Sequence, residues 1–284
     1  MSTDHYENFP VASLLCPPAL RAPVLAIYHF ARTADDLADE GQATPAQRRQ
    51  QLAAYRQALH AASRGQTEGS PWPGVFPALA QAMQQHRLPE PLLHDLLDAF
   101  EQDTGNPRYP DRASLLDYCR RSANPVGRLM LHLAGVQDDL SLRQSDAICS
   151  ALQLITFWQD PSVDHPRGRV YLPQDDARRH GVDIDQAIAR GDSPATQALL
   201  RDLCQWSASL MQAGAPLACR VPGRLGWELR LVVQGGLRIL ETIAAMKYRT
   251  LGQRPTLHKF DLAAMAWRAL RMRPTHATPG FALA

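Results

Sequence analysis

The sequence predicts an all-α fold in a single domain. Apolar residues recur three and four positions apart through most of the chain, which is the spacing of one face of a helix. Proline and glycine stand mainly between these stretches, where helices start and stop. The one β-prone run, 168–176, is too short and too isolated to suggest a sheet. We find no linker, no domain boundary and no repeat apart from two acidic motifs, and we expect the tail, 274–284, to be loose.

The first half of the chain should form five helical segments. Prolines mark the start of the first, because a proline is tolerated in a first turn, and Gly41 is suited to end it. In the fifth segment Pro125 removes an i→i−4 hydrogen bond, so a break or kink is expected at Asn124 and Pro125. The first segment should start within 18–23 and end at 41, and the others should cover 44–62, 75–87, 90–104 and 111–134, with a loop at 63–74.

Four longer helices are expected in the second half. They cover 142–160, a segment that starts at Ser193 and Pro194, then 222–247 and 256–272. Gly235 and Gly236 interrupt the third of these at a cost of about 1 kcal/mol per glycine relative to alanine. Such a pair indicates close approach by a ligand or a backbone, and ordinary helix packing explains it equally well.

The composition is that of an ordinary globular protein, with 45% hydrophobic and 20% charged residues. A formal net charge of +2, without a basic run, argues against a nucleic-acid partner. The five cysteines are odd in number and lack CxxC spacing, which favours reduced thiols. Residues 1–10 lack the apolar core of a signal peptide, and no apolar run reaches the roughly 20 residues that span a bilayer. We therefore expect a cytoplasmic protein that at most touches a membrane surface.

A polar stripe interrupts the apolar pattern of the first helix, in the run YHFARTADDLADE. Tyr28, Arg32, Asp35 and Asp39 are three or four positions apart and therefore share one helix face. Ionised groups are seldom buried without partners, so this stripe is poor core. It favours either a functional site or a solvated helix face on which Arg32 pairs with Asp35 or Asp36.

A second stripe of the same kind lies far downstream, in LQLITFWQDPSVD, at Gln153, Thr156, Asp160 and Asp164. If the two stripes faced each other, four carboxylates would surround one cavity, and multivalent cations would be needed to make that arrangement tolerable. Mg²⁺ prefers such oxygen ligands and commonly shares them with substrate phosphates. The pair of motifs therefore predicts a metal-assisted site for a diphosphate.

Both motifs resemble those of the squalene/phytoene synthase family, the second of them together with the GRVYLP that follows it. The resemblance extends over most of the chain, through HYENFPVAS, YCRRSANPVGRLMLHLAG and GGLRILE, and these stretches look most like the hydroxysqualene synthase branch of bacterial hopanoid biosynthesis. The resemblance implies an isoprenoid-synthase-type helical bundle around a central cavity. It also implies an enzyme that acts on a prenyl diphosphate.

The resemblance also assigns roles to individual residues. The metal ligands, for Mg²⁺ with Mn²⁺ as an alternative, would be Asp35, Asp39, Asp160 and Asp164, and these four with Tyr28 would be catalytic. The substrate-binding residues would be His5, Phe9, Arg32, Gln153, Thr156, Phe157 and Arg169. Arg32 and His5 would contact phosphate, and Arg169 would belong to a flap over the diphosphate.

Several positions depart from the family pattern: Tyr6, Glu7 and Asn8, the run Ala123-Asn124-Pro125, and three positions of the second motif. Thr156 stands where an asparagine ligand is usual, and a hydroxyl binds a metal more weakly. Gln159 replaces a common arginine. Pro161 follows Asp160 directly and has no N–H to donate, which is expected to shift Asp164 relative to Asp160.

The favoured function is Mg²⁺-dependent conversion of presqualene diphosphate to hydroxysqualene, through ionisation, cation rearrangement and capture by water. No nicotinamide is expected, since the sequence has no glycine-rich dinucleotide fingerprint. One alternative is condensation of two prenyl diphosphates to presqualene diphosphate, squalene or phytoene. Another is a non-catalytic family member that acts as an assembly factor. The expected partners are the prenyl diphosphate and neighbouring pathway enzymes. The helix 256–272 either packs on the core or contacts a membrane surface.

Overall fold

The computed structural model describes residues 16–273, without the side chains of Lys259 and Phe260, and the regular elements of this part are helices. The first seven are α1 (Pro18–Asp39), α2 (Pro45–Ser63), α3 (Phe76–His86), α4 (Glu90–Asp103), α5 (Arg112–Ser122), α6 (Asn124–Leu133) and α7 (Asp139–Gln159). The next seven are α8 (Pro161–Asp164), α9 (Gln174–Arg179), α10 (Ile184–Arg190), α11 (Pro194–Gly214), α12 (Leu217–Arg220), α13 (Gly223–Ala245) and α14 (Lys259–Arg271). The predicted all-α fold is confirmed.

Helix starts follow the local chemistry of the sequence. Thr44 caps α2 by accepting a hydrogen bond from the Gln47 N–H, and Ser193 caps α11 in the same way. The predicted break at Asn124 and Pro125 is also confirmed, because α5 ends at Ser122 and α6 starts with Pro125 in its first turn.

Some elements differ from the prediction. The short helices α10 and α12 were not predicted, since four to seven residues are too few to show a helical period. The start of α9 does agree with the sequence, in which Asp175 and Asp176 resemble a helix N-terminus. Gly235 and Gly236 do not interrupt α13, which is continuous. A Cβ on Gly236 would lie 2.8 Å from the Met211 Cε and 3.1 Å from a Leu152 methyl carbon. Helix packing, rather than a ligand, therefore explains this glycine.

The core consists of two apolar clusters. One lies among α1 to α4, where the buried Tyr55 hydroxyl donates to the Phe30 carbonyl over 3.0 Å. The other centres on α7 packed against α11, and there the Trp158 indole N–H donates to the Ser207 hydroxyl over 2.7 Å. Phe30 and Trp158, which lie beside the acidic motifs in sequence, are thus core residues.

None of the helices within residues 16–273 combines the length and the apolar character needed to cross a bilayer. The segment 274–284, for which we expect loose structure, lies outside the described residues, as do His5 and Phe9.

Candidate active site

A cavity of about 530 Å³ lies between α1, α6, α7 and α13. Its wall is mostly apolar, and the apolar side chains on it include Ile27, Phe100, Met130, Ile148, Leu225 and Val232. Five residues of the two sequence stripes also line it: Tyr28, Arg32, Asp35, Gln153 and Thr156. The structure therefore brings part of each stripe to one cavity, across a distance of more than a hundred residues in sequence.

Arg32 is held by carboxylates of its own helix. Its guanidinium lies 2.6 Å from Asp36, 3.3 Å from Asp35 and 3.0 Å from Glu40. Although partial burial works in the opposite direction, these carboxylates raise the pKa of Arg32, which keeps it cationic. The ion pairs of Arg32 with nearby carboxylates, which were the alternative interpretation of this stripe, do form. They lie at the wall of the cavity.

The ionised forms of two carboxylates of the motifs are disfavoured by their surroundings. Burial, with a contribution from the neighbouring Asp39, raises the pKa of Asp35 to about 6. Burial likewise raises the pKa of Asp164 to about 7, with a contribution from Asp160. Asp35 still exposes 41% of its side chain, because it stands in the concave wall of the cavity where water and protein both reach it. The site therefore holds more negative charge than its surroundings compensate.

Arg169 joins the two motifs. It forms an ion pair with Asp39 of α1, and its backbone N–H donates to the Asp164 carbonyl over 3.1 Å. Arg167 also approaches Asp39, at 3.4 Å. Asp39, Arg167 and Arg169 line a second cavity, of about 680 Å³, together with Asp103. Arg169 thus occupies the place between the acidic motifs that is expected for a phosphate-binding cation.

Asp160 and Asp164 do not continue the face of α7, and on this point the prediction of one helical stripe was wrong. The helix ends at Gln159, Pro161 begins α8, and Asp164 is the last residue of α8. Asp160 forms a two-point ion pair with Arg254, with distances of 2.5 and 3.0 Å. Proline at this position starts a new helical turn instead of extending the previous helix.

Phe157 does not line the cavity, contrary to the expectation that it binds substrate. Its ring is buried and stacks on Tyr171 with centroids 3.6 Å apart. Gln159, at the position where the family has arginine, is also buried, and its amide donates to the Pro255 carbonyl over 2.9 Å.

Sequence reasoning missed a half-buried carboxylate beside the site. Asp103, at the end of α4, accepts a hydrogen bond from the Tyr118 hydroxyl over 2.7 Å. Burial raises the pKa of Asp103 to about 7, although Tyr118 and Arg169 act in the opposite direction. Asp103 also interacts electrostatically with Asp35 and Asp39, which places it at the same centre. In the sequence, the position of Asp103 indicates only the end of a helix.

The donor set fits hard divalent cations. Carboxylate oxygens are the ligands that Mg²⁺ prefers. Burial and neighbouring carboxylates raise the pKa values of Asp35 and Asp164, so a bound cation would favour their ionised forms. Within residues 16–273, the one group of three His, Cys, Asp or Glu ligands already close to a common point lies elsewhere, on α2 and α4, and consists of His60, Glu90 and His94. The aspartates would therefore hold a metal jointly with substrate phosphate oxygens.

Comparison with known proteins agrees with this architecture. A family model described as squalene/phytoene synthase matches residues 2–261. A hydroxysqualene synthase of Rhodopseudomonas palustris is 35% identical over 243 residues, which are 85% of this chain and 80% of that protein. A presqualene diphosphate synthase of Zymomonas mobilis is 27% identical over 270 residues, with 95% and 90% covered.

A solved structure is similar as well. The squalene synthase HpnC from Alicyclobacillus acidocaldarius superposes with a TM-score of 0.79 at 36% identity, over 86% of this chain and 90% of that chain. Of the four motif aspartates only Asp35 lines the apolar cavity, but Gln153 and Thr156 of the second motif line it as well. The sequence match and the structural match agree with this arrangement. The chain belongs to the squalene/phytoene synthase family.

Proposed function

We propose that this protein converts presqualene diphosphate to hydroxysqualene in a Mg²⁺-dependent reaction. The observation that carries the proposal is the division of the 530 Å³ cavity into a long apolar wall and a polar group made by Tyr28, Arg32, Asp35, Gln153 and Thr156. An apolar chain with a charged head group matches that division. The volume lies in the range of pockets that enclose small ligands.

The charged residues would have two roles toward the diphosphate. Arg169 and Arg32 would bind its oxygens, since guanidinium groups suit phosphate geometry. Asp35, Asp39 and Asp164, with Asp160, would hold Mg²⁺, which neutralises charge on the leaving diphosphate when it is bound. The apolar wall would exclude bulk water from the carbocation, and the Tyr28 ring, on the same wall, would stabilise its positive charge.

Condensation of two prenyl diphosphates is the second candidate function. It is favoured by the likeness to the presqualene diphosphate synthase, which extends over 95% of this chain. A non-catalytic role is less well supported, because the cavity retains a charged group with cations and carboxylates together.

Product analysis separates these functions. With presqualene diphosphate and Mg²⁺, and without NADPH, we expect hydroxysqualene and free diphosphate. Removing divalent metal with a chelator should lower diphosphate release by about a hundredfold, and Mg²⁺ or Mn²⁺ should restore it. Squalene formed only with NADPH, or turnover of farnesyl or geranylgeranyl diphosphate alone, would favour the condensing enzymes. No diphosphate release from any prenyl substrate would leave the assembly factor.

We also propose that α14 contacts an anionic membrane surface. Its outward face is apolar: Leu262, Trp267 and Leu270 are each more than half exposed. Its charged Arg268 is paired inward with Glu241 of α13, whereas Arg271 lies over the exposed Trp267 ring, 4.4 Å from its centroid. An outward apolar stripe beside arginine is typical of helices that lie at a bilayer interface.

Sedimentation with lipid vesicles tests this contact. The double substitution Leu262→Ser and Leu270→Ser should weaken binding to phosphatidylglycerol vesicles by about tenfold or more, because each leucine loses its apolar burial. Leu140→Ser is the matched control, since Leu140 is 46% exposed on α7. Equal loss in the control, or no binding by the wild type, would contradict the proposal, and a concentration-dependent increase in mass would indicate a second copy instead.

A further inference from the structure

A small side pocket opens from the main cavity beside the acidic centre. Its volume is about 200 Å³. It is lined by Ser122, Ala123, Val126, Cys149, Leu152, Gln153 and Thr156. Four of these residues, Val126, Cys149, Gln153 and Thr156, also line the main cavity, so the two spaces share a wall.

The break between α5 and α6 shapes this pocket. Ala123 leaves the helical path between Ser122 and Asn124, and Pro125 starts the next helix. Asn124 is fixed to α7 by a hydrogen bond from the Ser150 hydroxyl over 2.9 Å. Ser122 and Ala123, the two residues at this break, line the pocket.

The pocket is polar at three points. The Ser122 hydroxyl oxygen is buried and has no hydrogen-bond partner within residues 16–273. The Thr156 hydroxyl donates to the Leu152 carbonyl over 3.1 Å, and it therefore faces other groups as an acceptor. The Gln153 amide offers both a donor and an acceptor. A buried hydroxyl without a partner costs about 1–3 kcal/mol, which ordered water can relieve.

We infer that this side pocket holds the water molecule that captures the carbocation, and that Ser122 positions it. The inference rests on the proposed function. The rest of the main wall is largely apolar, whereas the pocket has room for water and the two to four polar partners that a buried water requires. Gln153 and Thr156 line both spaces, so a water held in the side pocket lies within reach of the main cavity.

The capture step is balanced without an oxidant or a reductant. A lone pair of the water oxygen forms the C–O bond to the cationic carbon, and the oxonium so formed loses one proton to an oxygen of the departed diphosphate. Without positioned water, the cation instead loses a proton from a neighbouring carbon and becomes a hydrocarbon with one more double bond. The ratio of alcohol to hydrocarbon therefore reports on the side pocket, whereas total diphosphate release reports on ionisation.

The test compares Ser122→Ala and Ser122→Val with the wild type on presqualene diphosphate and Mg²⁺. We expect diphosphate release to stay within about twofold, while the ratio of alcohol to hydrocarbon falls about tenfold in Ser122→Ala, the effect of losing one hydrogen bond. Ser122→Val should lower the ratio further, because its methyl groups also fill the pocket. Ser145→Ala is the matched control, since Ser145 lines the main cavity but not the side pocket.

The outcomes are distinguishable. A wild-type ratio in both Ser122 variants, a parallel fall of alcohol and diphosphate release, or an equal change in Ser145→Ala would overturn the role of Ser122. A wild type that forms no alcohol would overturn the proposed function instead. If Ser122→Val does not fold, judged by its circular dichroism, the smaller Ser122→Ala decides the question.

Discussion

Asparagine in place of Asp35 is expected to lower diphosphate release by about a hundredfold to a thousandfold. Among the carboxylates of residues 16–273, Asp35 is the one that combines three properties. It lines the apolar cavity, it contacts Arg32, and its pKa is raised to about 6 by burial and by Asp39. Asparagine keeps the shape of the side chain but removes the charge that would attract Mg²⁺. The loss should therefore appear in the chemical step, measured in single-turnover reactions at saturating Mg²⁺.

The fold should tolerate this change. A carboxylate whose pKa is raised by burial destabilises the folded state when it is ionised. Its neutral replacement should therefore not lower the melting temperature at pH 8. Asp98→Asn is the matched control, because Asp98 also sits on a helix and pairs with an arginine, Arg56, at 2.6 Å. Asp98→Asn should keep the wild-type rate. An Asp35→Asn variant that did the same would remove Asp35 from the metal site.

The first acidic motif was easy to place from sequence because it lies on one unbroken helix. The periodicity of α1 predicts that Tyr28, Arg32 and Asp35 share a face, and all three line the same cavity. The second motif could be placed only as far as Thr156. Beyond it, Pro161 ends the period, and the direction of Asp160 is set by Arg254, which is 94 residues away in sequence.

The parts that sequence reasoning missed depend on contacts that no local pattern encodes. Asp103 and Tyr118 belong to different helices and meet only because α4 packs against α5. Ser122 belongs to a motif that carries the family resemblance, but the burial of its hydroxyl depends on tertiary packing that the motif does not encode. Helical period predicts which residues share a face, and tertiary packing decides what that face meets.

Asp103→Asn is expected to stabilise the protein at alkaline pH while lowering its activity. Burial raises the pKa of Asp103 to about 7, against an unfolded value of about 3.9. The folded state therefore binds the proton more tightly than the unfolded state does. The stability that protonated Asp103 contributes is complete below about pH 4, and it is lost as the pH rises through about 7.

At pH 8 this cost is removed by asparagine, whose carbonyl still accepts the hydrogen bond from Tyr118. A shift of three units corresponds to about 4 kcal/mol, and relaxation around the charge reduces it, so we expect the free energy of unfolding to rise by about 2 kcal/mol. The gain should shrink toward pH 5, where the folded wild type is already protonated. Urea unfolding of both proteins at pH 5 and pH 8 measures this difference.

The control for Asp103→Asn is a carboxylate whose pKa moves the other way. The pKa of Asp117 is lowered, chiefly by its hydrogen bond from Arg120, and its side chain is 53% exposed. Asp117→Asn should change the free energy of unfolding by less than about 1 kcal/mol, and not in the stabilising direction at pH 8. Diphosphate release should fall at least about tenfold in Asp103→Asn and stay unchanged in Asp117→Asn. The reason is that a charged group that lowers folding stability is usually retained because the activity needs it. A gain in stability that is equal at pH 5 and pH 8 would show that packing, rather than the buried charge, sets the cost at Asp103.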